Sequence, residues 1–297
     1  MNTHKYEAFI KTVELGSLTK AANYLGYTQS GISHMINALE EELCTTLLLR
    51  DRSGVKITPE GTQLLPHIRN ICNSYRDLID KANKLHGLEC GMIRIGTFTS
   101  IACHWLPVLI KTFQEKHPNI DFELLHGDYS EIENWVNEGR IDFGFLRLPS
   151  IAAFENIMLK QDKLMVILPK THPLAEVDSF PVEKLSEEPF ILLEEGTDNG
   201  ITHIFEENHI IPNVRFKVRD DYTIMSMVES GLGISILPEL VLYRNPYHIV
   251  MKELNIHAYR KLGIVLKNTK QASTAVKCFL DYISDALKKD VKNNHQA

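Results

Sequence analysis

A run of short polar residues opens the most regular apolar pattern in the chain, and its chemistry suits contact with nucleic acid. Thr28, Gln29, Ser30 and Ser33 fall at the start of a predicted helix. Hydroxyl and amide side chains, together with the free N–H groups of a helix N-terminus, can bond to phosphate oxygens or base edges. Thr28 or Ser30 could equally be a helix N-cap, and both roles can coexist. We predict DNA contacts for these residues and for Ser17, the expected N-cap of the preceding helix.

Three cations follow this helix closely. Arg50, Arg52 and Lys56 belong to a segment that reads as a short β-hairpin with a Ser-Gly dipeptide at its tip. A basic hairpin in this position is placed to touch the flanking DNA backbone or minor groove, where each phosphate contact adds sequence-independent, salt-sensitive affinity. The alternative is an ordinary solvated turn. Its position favours a DNA-binding wing.

Residues that could support catalysis or hold a metal are poorly spaced. Cys103 and His104 are adjacent, but neighbours on a helix point about 100° apart and rarely form a catalytic dyad. The sequence has no Walker loop, HExxH or GxSxG motif, and its 13 histidines show no ligand spacing. Five scattered cysteines without a CxxC pair are typical of reduced thiols, with a redox sensor as the alternative. We expect no enzyme activity, no cofactor and no metal.

Two short apolar patterns predict the helices that position the polar run. Each follows the i, i+3, i+4, i+7 spacing of one helix face, and a Gly-Tyr-Thr tripeptide between them allows only a tight turn. The stretch 17–43 therefore predicts a helix-turn-helix, whose second helix enters the DNA major groove. A generic helical hairpin is the alternative. A helix from His4 to Leu15, closed by Gly16, precedes this pair.

A long helix comes next, with Thr58 as its N-cap and Pro59 in its first turn. At about 1.5 Å per residue it would measure roughly 43 Å, too long to pack usefully on one small domain. We therefore predict that the helices of two chains pair along their whole length, which presents two helix-turn-helix units to a two-fold operator. Pro66 predicts a bend rather than a break. The apolar residues form a heptad seam: Leu64, Ile68, Ile71, Tyr75, Leu78, Ala82 and Leu85.

Length and composition are those of an ordinary globular protein. The chain has 297 residues, of which 44% are apolar and 24% charged, and this favours about two domains. No run approaches the roughly 18 apolar residues of a membrane span, and the first residues lack the order of a secretory signal, so we expect a cytoplasmic protein. Residues 1–90 hold ten basic and ten acidic side chains within a total of −6. Because DNA-binding domains are usually basic, the interpretation depends on where individual charges lie.

After residue 91 the pattern alternates between strands and helices, which predicts an α/β region with a parallel sheet and crossover helices. We assign the last two of the predicted strands to the second half of this region. Predicted strands cover 93–97, 120–125, 141–146, 164–168, 190–193, 216–219, 235–237 and 263–266. Predicted helices cover 105–115, 130–137, 201–207, 223–230 and 274–287.

Residues 3–62 resemble the winged helix-turn-helix of LysR-type transcriptional regulators, and the resemblance extends through the entire chain. Its signature pieces are FIKTVELGSLTKAANYLGYTQSGISHMINALEEEL and LLLRDRSGVKITPEGTQLL, followed by the long linker helix. Three residues depart from the family pattern. His34 replaces the usual Arg of the recognition helix, so a constant phosphate or base contact is altered or pH-sensitive. Cys44 replaces Gly and Leu48 replaces Phe, which concerns packing and turn geometry.

The resemblance implies an α+β protein in which an all-α winged helix-turn-helix and a linker helix precede an α/β effector domain. That domain would consist of two Rossmann-like subdomains, similar to type 2 periplasmic binding proteins, with a small effector in the cleft between them. The implied bounds are 1–58 for DNA binding, 59–88 for the linker and dimerisation helix, and 89–297 for the effector domain. Subdomain I would cover about 92–162 and 268–297, and subdomain II about 163–267.

Ligands of open α/β sheets lie beyond the carboxyl ends of strands, often at helix N-termini. This rule selects the following candidates for effector binding: Thr97, Phe98, Thr99, Ser100, Asp128, Arg147, Glu195, Thr197, Thr202 and Thr223. The resemblance supports Thr99, Ser100, Asp128 and Thr202 in particular. A neutral Ser or Thr is usual at position 128, so Asp128 with Glu195 opposite would suit a cationic, amine-bearing or metal effector. The alternative is that these acids face water.

These patterns together predict a sequence-specific transcriptional regulator that binds operator DNA as a homodimer or a dimer of dimers. The resemblance implies that a small-molecule co-inducer closes the cleft and changes the angle between the two DNA-binding domains of the dimer. This movement would change DNA bending and the access of RNA polymerase. A solute-binding protein without DNA activity would explain only the second half of the chain. A cysteine-dependent enzyme is the third alternative.

Overall fold

The structure is a computed structural model that describes residues 3–51, 54–85, 90–150, 152–194 and 200–294. It consists of an N-terminal helical unit, one long helix and a C-terminal α/β region, which is the predicted α+β arrangement. Within the described ranges, no helix is both long and apolar enough to cross a membrane.

Three helices form the N-terminal unit, which we call the reading head. Helix α1 (His4–Leu15) ends at Gly16, and α2 (Leu18–Leu25) ends at Gly26. Both glycines have a left-handed backbone, with φ values of 62° and 73°, which glycine adopts at little cost. Helix α3 (Gln29–Glu42) follows after the three-residue turn 26–28. The helix-turn-helix prediction is therefore confirmed.

A two-stranded wing completes the reading head. Strands β1 (Leu48–Asp51) and β2 (Gly54–Ile57) pair antiparallel, with Leu48 opposite Ile57. Leu48 is buried in the core beside Ala21 and Ala22, whose small side chains allow the helices to cross closely. The predicted hairpin is confirmed, and a Leu fills the place where a Phe was expected.

Helix α4 (Pro59–Leu85) continues without a break through Pro66. At about 1.5 Å per residue its 27 residues extend roughly 40 Å. Thr58 caps it, because the Thr58 hydroxyl accepts a hydrogen bond from the Gly61 N–H at 2.9 Å. The same hydroxyl lies 2.9 Å from the Thr46 carbonyl oxygen, so the cap also joins the helix to the segment before the wing.

The apolar seam of α4 is divided between two environments. Ile68 is buried in the core of the reading head, and Leu64 and Ile71 pack against that core, where α1 contacts this half of the helix. The next two seam residues, Tyr75 and Leu78, are 43% and 61% exposed. The prediction of self-pairing along the whole seam is wrong for its first half, because the reading head of the same chain covers that half.

Cys44 follows α3 with a left-handed backbone, at a φ of 48°. This conformation costs a non-glycine residue roughly 1–2 kcal/mol. Glycine avoids that cost, but its greater conformational freedom in the unfolded chain offsets part of the gain in stability. We expect Cys44→Gly to raise the free energy of unfolding by about 0.5–1 kcal/mol in urea denaturation. Cys44→Ala keeps the backbone strain and removes the thiol. An equal gain from the alanine variant would assign the effect to the thiol instead.

The α/β region begins at β3, and most of its strands and helices match the predicted segments. Strands are β3 (Gly91–Thr97), β4 (Ile120–His126), β5 (Phe143–Leu148), β6 (Glu155–Pro169), β7 (Ser179–Phe180), β8 (Pro189–Leu193), β9 (Asn213–Val218), β10 (Ser235–Pro238), β11 (Ile249–Leu254) and β12 (Tyr259–Leu266). Helices are α5 (Thr99–His104), α6 (Leu106–Gln114), α7 (Tyr129–Asn137), α8 (Gly200–Glu207), α9 (Asp221–Glu229), α10 (Glu239–Leu242) and α11 (Thr274–Asn294), with a 3₁₀ turn at Val182–Ser186. Sequence patterns missed β7, β11 and the first half of β6.

Strand β6 joins two halves of this region. The main sheet has the order β4-β3-β5-β12-β6-β11-β7, in which β3 runs parallel to β4 and β5. The first part of β6 pairs with β12, and its last residues pair with β10 and β11. A second connection lies beside it, where the Leu164 N–H donates to the Ala258 carbonyl at 2.9 Å. Two separate apolar cores lie on either side of this crossing point.

Strand β12 belongs to the first of these cores. It pairs with β5, and Leu262, Ile264 and Val265 are buried with the face of α11 that the sequence predicted. The assignment of this strand to the second half, and of residues up to 267 to that subdomain, is therefore corrected. The chain returns to the first subdomain near Ala258, since an apolar strand carries no sign of which neighbour it will pair with.

Candidate DNA-binding surface and effector cleft

One side of α3 presents a row of polar side chains along a shallow groove. Gln29, Ser30, Ser33, His34 and Asn37 line it at helical spacing, while the apolar residues of α3 are buried on the opposite side. Amide, hydroxyl and imidazole groups are those that read base edges in a major groove. Asn37 was missed in the sequence, although it lies one helical turn after Ser33.

The two helix N-termini beside this row are capped by predicted contact residues. The Ser17 hydroxyl accepts from the Lys20 N–H at 3.3 Å, and the Thr28 hydroxyl accepts from the Gly31 N–H at 3.1 Å. Ser30 lies 3.1 Å from Thr28 through their hydroxyl oxygens. The N-cap role is therefore realised. It is compatible with DNA contact, because a hydroxyl that accepts one hydrogen bond can still donate its own hydrogen.

Arg50 lies against the recognition helix. Its Nη1 donates to the Ser33 hydroxyl at 2.7 Å and its Nη2 to the Asn37 side-chain oxygen at 2.6 Å. The wing thus places an exposed guanidinium in the middle of the polar row, and not only at the flank where the sequence suggested it. Lys56 is exposed on β2, and Arg52 lies outside the described residues.

Several acidic side chains of the reading head are occupied within it. The Glu40 carboxylate accepts from the Leu47 and Leu48 N–H groups at 2.6 and 3.0 Å, which ties the end of α3 to the wing. Glu42 pairs with Lys5, and Glu14 pairs with Lys11 at 2.8 Å. These three carboxylates are engaged away from the polar row, where Arg50 is exposed, whereas Glu41 lines the groove itself.

In the α/β region, the end of β3 supplies the first side of a cleft. Thr97 and Ser100 are fully buried there, and Phe98 packs edge-on against Tyr129 with ring centroids 5.0 Å apart. The Thr99 hydroxyl lies 3.3 Å from His126 Nε2. The structure therefore brings the four predicted residues of this strand end into one place.

A buried arginine occupies the floor of this site, and no sequence pattern indicated it. Arg260 is 4% exposed, and its Nη2 donates to the Ser100 hydroxyl at 2.9 Å and its Nη1 to the Tyr129 hydroxyl at 3.2 Å. Its guanidinium also lies over the Phe98 ring, 5.4 Å from the centroid. The Ser100 hydroxyl can therefore accept from Arg260 and donate to a ligand.

Asp162 neutralises this arginine. The Asp162 Oδ2 accepts from Arg260 Nε at 2.8 Å, and its Oδ1 accepts from the Leu240 N–H at 3.0 Å. Asp162 lies on β6 and Arg260 on β12, the two connections between the subdomains. A buried ion pair thus joins the floor of the cleft to the crossing point at which the two cores meet.

The other effector candidates have mixed positions. Asp128 is the N-cap of α7, where its carboxylate accepts from the Glu131 N–H at 2.9 Å in a capping box. Thr223 binds Asp220 through its N–H and hydroxyl, both at 2.6 Å. The structure places Arg147 at the end of β5 and Thr202 in α8, whereas Glu195 and Thr197 lie outside the described residues.

Cys103 and His104 contact different aromatic rings. Burial raises the pKa of Tyr222, and a hydrogen bond to Cys103 adds to the increase, which places α9 of the second subdomain against α5 of the first. His104 packs edge-on against Tyr243, with centroids 5.5 Å apart. Burial and the nearby Arg244 charge lower the pKa of His104. Among the described residues, no group of three or more His, Cys, Asp or Glu side chains could hold a metal ion.

Two family models match this chain, and together they span nearly all of it. The model of the bacterial regulatory helix-turn-helix protein, lysR family, matches residues 3–62, and the LysR substrate binding domain matches residues 86–288. The chain belongs to the LysR family of transcriptional regulators. The recognition helix and the cleft described above fall within the first and the second of these matches.

This LysR-family protein has similar relatives along its full length. It is 34% identical over 284 residues to the HTH-type transcriptional regulator YvbU of Bacillus subtilis, covering 95% of this chain and 97% of that one. The crystal structure of full-length BenM matches with a TM-score of 0.61 at 27% identity, covering 98% and 97% of the two chains. CbnR complexed with its target DNA shares the fold, with a TM-score of 0.58 at 20% identity over 97% and 100%. The protein is a helix-turn-helix transcriptional regulator with an effector-binding domain.

Proposed function

We propose that this regulator recognises a two-fold operator through α3 and responds to a small polar effector held in its cleft. The observation that carries the proposal is the exposed polar row on α3 with Arg50 fixed in its middle by Ser33 and Asn37. Asparagine and glutamine pair with adenine edges, and arginine pairs with guanine or phosphate. A solved complex of the related CbnR with its target DNA supports DNA as the partner.

The DNA-binding test uses a duplex that the protein itself selects from a random-sequence pool, with a scrambled duplex as reference. Arg50→Ala should weaken binding to the selected duplex by about tenfold or more and reduce the salt dependence by about one charge, measured by fluorescence anisotropy. Arg215→Ala, an exposed arginine on β9, is the matched control and should change neither. Equal binding of selected and scrambled duplexes by the wild-type protein at physiological salt would reject sequence-specific recognition.

For the effector, we propose a ligand that hydrogen-bonds to Ser100 and Thr99 above the neutralised Arg260. Helix capping explains why an acidic residue stands at position 128 without a ligand contact, and this weakens the case for a cationic or metal effector. A thermal-shift screen of metabolites and metal ions on the full chain would identify the ligand, because a molecule that binds only the folded state raises the melting temperature.

We further propose that this regulator acts only by binding DNA and its effector, without catalysis and without a resident cofactor. The divergent contacts of Cys103 and His104 support this view, since the two side chains do not form a dyad. The exposed second half of the α4 seam supports a dimer, and pairing of two dimers would give a tetramer. RNA polymerase is a further candidate partner, and the cytoplasm, where operator DNA lies, is the proposed compartment.

A further inference from the structure

A second cavity lies between the reading head, α4 and the first subdomain, and the effector candidates do not line it. Its volume is about 280 Å³, close to the lower end of the range usual for small-molecule sites. The walls come from α1, α2, α4, β3, β4 and the residues after α7. It therefore lies at the joint between the DNA-binding and effector parts of the chain.

Five cationic side chains line this cavity: Lys11, Arg69, Arg76, Arg94 and Arg140. Three of the five have carboxylate partners. Lys11 and Arg69 share Glu14 at 2.8 and 3.3 Å, Arg69 also reaches Glu138 at 2.8 Å, and Arg94 pairs with Glu123 at 3.1 Å. The contacts of Arg69 join α1, α4 and the end of α7.

One donor of this wall is buried and unsatisfied. The Arg76 side chain forms no hydrogen bond or ion pair with the residues that the structure describes, and the Arg140 guanidinium lies over the Trp135 ring, 5.2 Å from its centroid. Both side chains are partly exposed, so their donors are open to a ligand. Arg69 is 5% exposed, and its buried Nε has no hydrogen-bond partner. Since buried polar groups are almost always bonded, an orphaned guanidinium nitrogen at a cavity wall indicates a missing acceptor.

The wall carries more positive than negative side chains, because its five cations face three carboxylates, those of Glu7, Glu14 and Glu123. Burial lowers the pKa of Arg76, and the nearby Arg94 charge lowers it further, although Asp142 opposes the change. Burial also lowers the pKa of Arg69; the charges of Glu14 and Glu138 oppose this decrease, and the charge of Arg140 adds to it. Like charges at a partly buried site destabilise each other, and an oxyanion between them would relieve the repulsion while accepting their hydrogen bonds.

We propose that this cavity binds a small metabolite with a carboxylate or phosphate group, at a site separate from the effector cleft. Arg76 and Arg140 would hold the oxyanion by forked hydrogen bonds, with Arg69 Nε as a further donor. Ile10, Leu25 and Met92 would cover an apolar body, because they line the same cavity. An occupant would stabilise the present arrangement of reading head and effector domain, which Arg69 and the Asn73–Gly139 hydrogen bond of 3.0 Å already join.

The test measures binding of sodium butyrate and of inorganic phosphate to the full chain by titration calorimetry at constant ionic strength, with butanol as the uncharged reference. The two anions distinguish a carboxylate from a phosphate site. We expect saturable binding of at least one anion, one molecule per chain, and a dissociation constant at least about tenfold higher in Arg76→Gln. Arg76→Lys keeps the positive charge but cannot form two parallel hydrogen bonds, so its dissociation constant should lie between those of the wild type and Arg76→Gln.

Three comparisons decide the outcome. Arg215→Gln and Ser100→Ala should bind the anion as the wild type does, and Arg140→Gln should bind it more weakly. Absence of saturable binding, binding equal to that of butanol, or loss in Ser100→Ala but not in Arg76→Gln would overturn the proposal. These results are independent of DNA recognition and of the cleft effector.

Discussion

Asp162→Asn should lower the free energy of unfolding by about 3–5 kcal/mol, because it leaves a buried arginine without its counter-charge. Asp162 is 1% exposed, and the Arg260 guanidinium contacts its Oδ2 at 2.7 Å. Asparagine keeps the shape of the side chain and an oxygen that can accept from the Leu240 N–H, but its NH2 group replaces the oxygen that accepts from Arg260. The change therefore removes both the counter-charge and the hydrogen bonds of the arginine. Urea denaturation followed by circular dichroism measures the loss.

Two further variants show whether the effect comes from the unpaired charge. Asp162→Leu combined with Arg260→Met removes both charges and should recover most of the stability, since apolar replacement of a whole buried pair is often near neutral. Glu187→Gln breaks the exposed pair with Lys184, 2.7 Å long, and should cost less than about 1 kcal/mol. A loss of that small size in Asp162→Asn would mean that Ser100 and Tyr129 hold Arg260 without help from the carboxylate.

Features that depend on near neighbours in the chain were predictable from the sequence. Gly16 and Gly26 end their helices because only glycine adopts a left-handed backbone cheaply, and Ser17 and Thr58 cap theirs through N–H groups three residues away. Each signal lies within one helical turn of its effect. The reading head is small enough that such local signals determine nearly all of its architecture.

The floor of the cleft was not predictable in this way. Asp162 and Arg260 are 98 residues apart, and each stands in the sequence as a charged residue just before an apolar run. Only the pairing of β6 with β12 brings them together, and that pairing depends on the packing of the two cores. The same dependence explains why β12 was assigned to the wrong subdomain.

Side-chain positions at the two sites show a related limit. Arg50 was predicted as a wing cation, but its contacts with Ser33 and Asn37 depend on how the wing folds back on α3. For Asp128, charge suggested a ligand contact, whereas the structure shows a capping box that a reading of the Asp-x-x-Glu spacing would have found. Residue type therefore indicated the chemistry, while geometry decided its partner.

The second half of the α4 seam is an apolar surface for which the sequence alone did not identify the partner. Leu78→Glu should convert the regulator to a monomer and weaken operator binding by about 10²-fold or more, because two linked reading heads bind far more tightly than one. Leu78 is 61% exposed within the single chain, next to the exposed Tyr75 and Ile79. An apolar surface of this kind on a helix with heptad spacing favours a partner helix. Analytical ultracentrifugation and fluorescence anisotropy measure the two effects.

Because Leu78 is exposed in the single chain, its substitution can disrupt dimerisation without unfolding the monomer. A glutamate there faces water in the isolated chain, so the circular dichroism spectrum of the monomer should stay unchanged. Ile211→Glu places the same charge on an apolar residue that is 86% exposed, and it should alter neither assembly nor operator affinity. If Leu78→Glu remains a dimer, the pairing surface lies elsewhere and the second half of the seam has another partner. If it becomes a monomer but keeps full operator affinity, one reading head suffices, and the two-fold operator in our proposal is wrong.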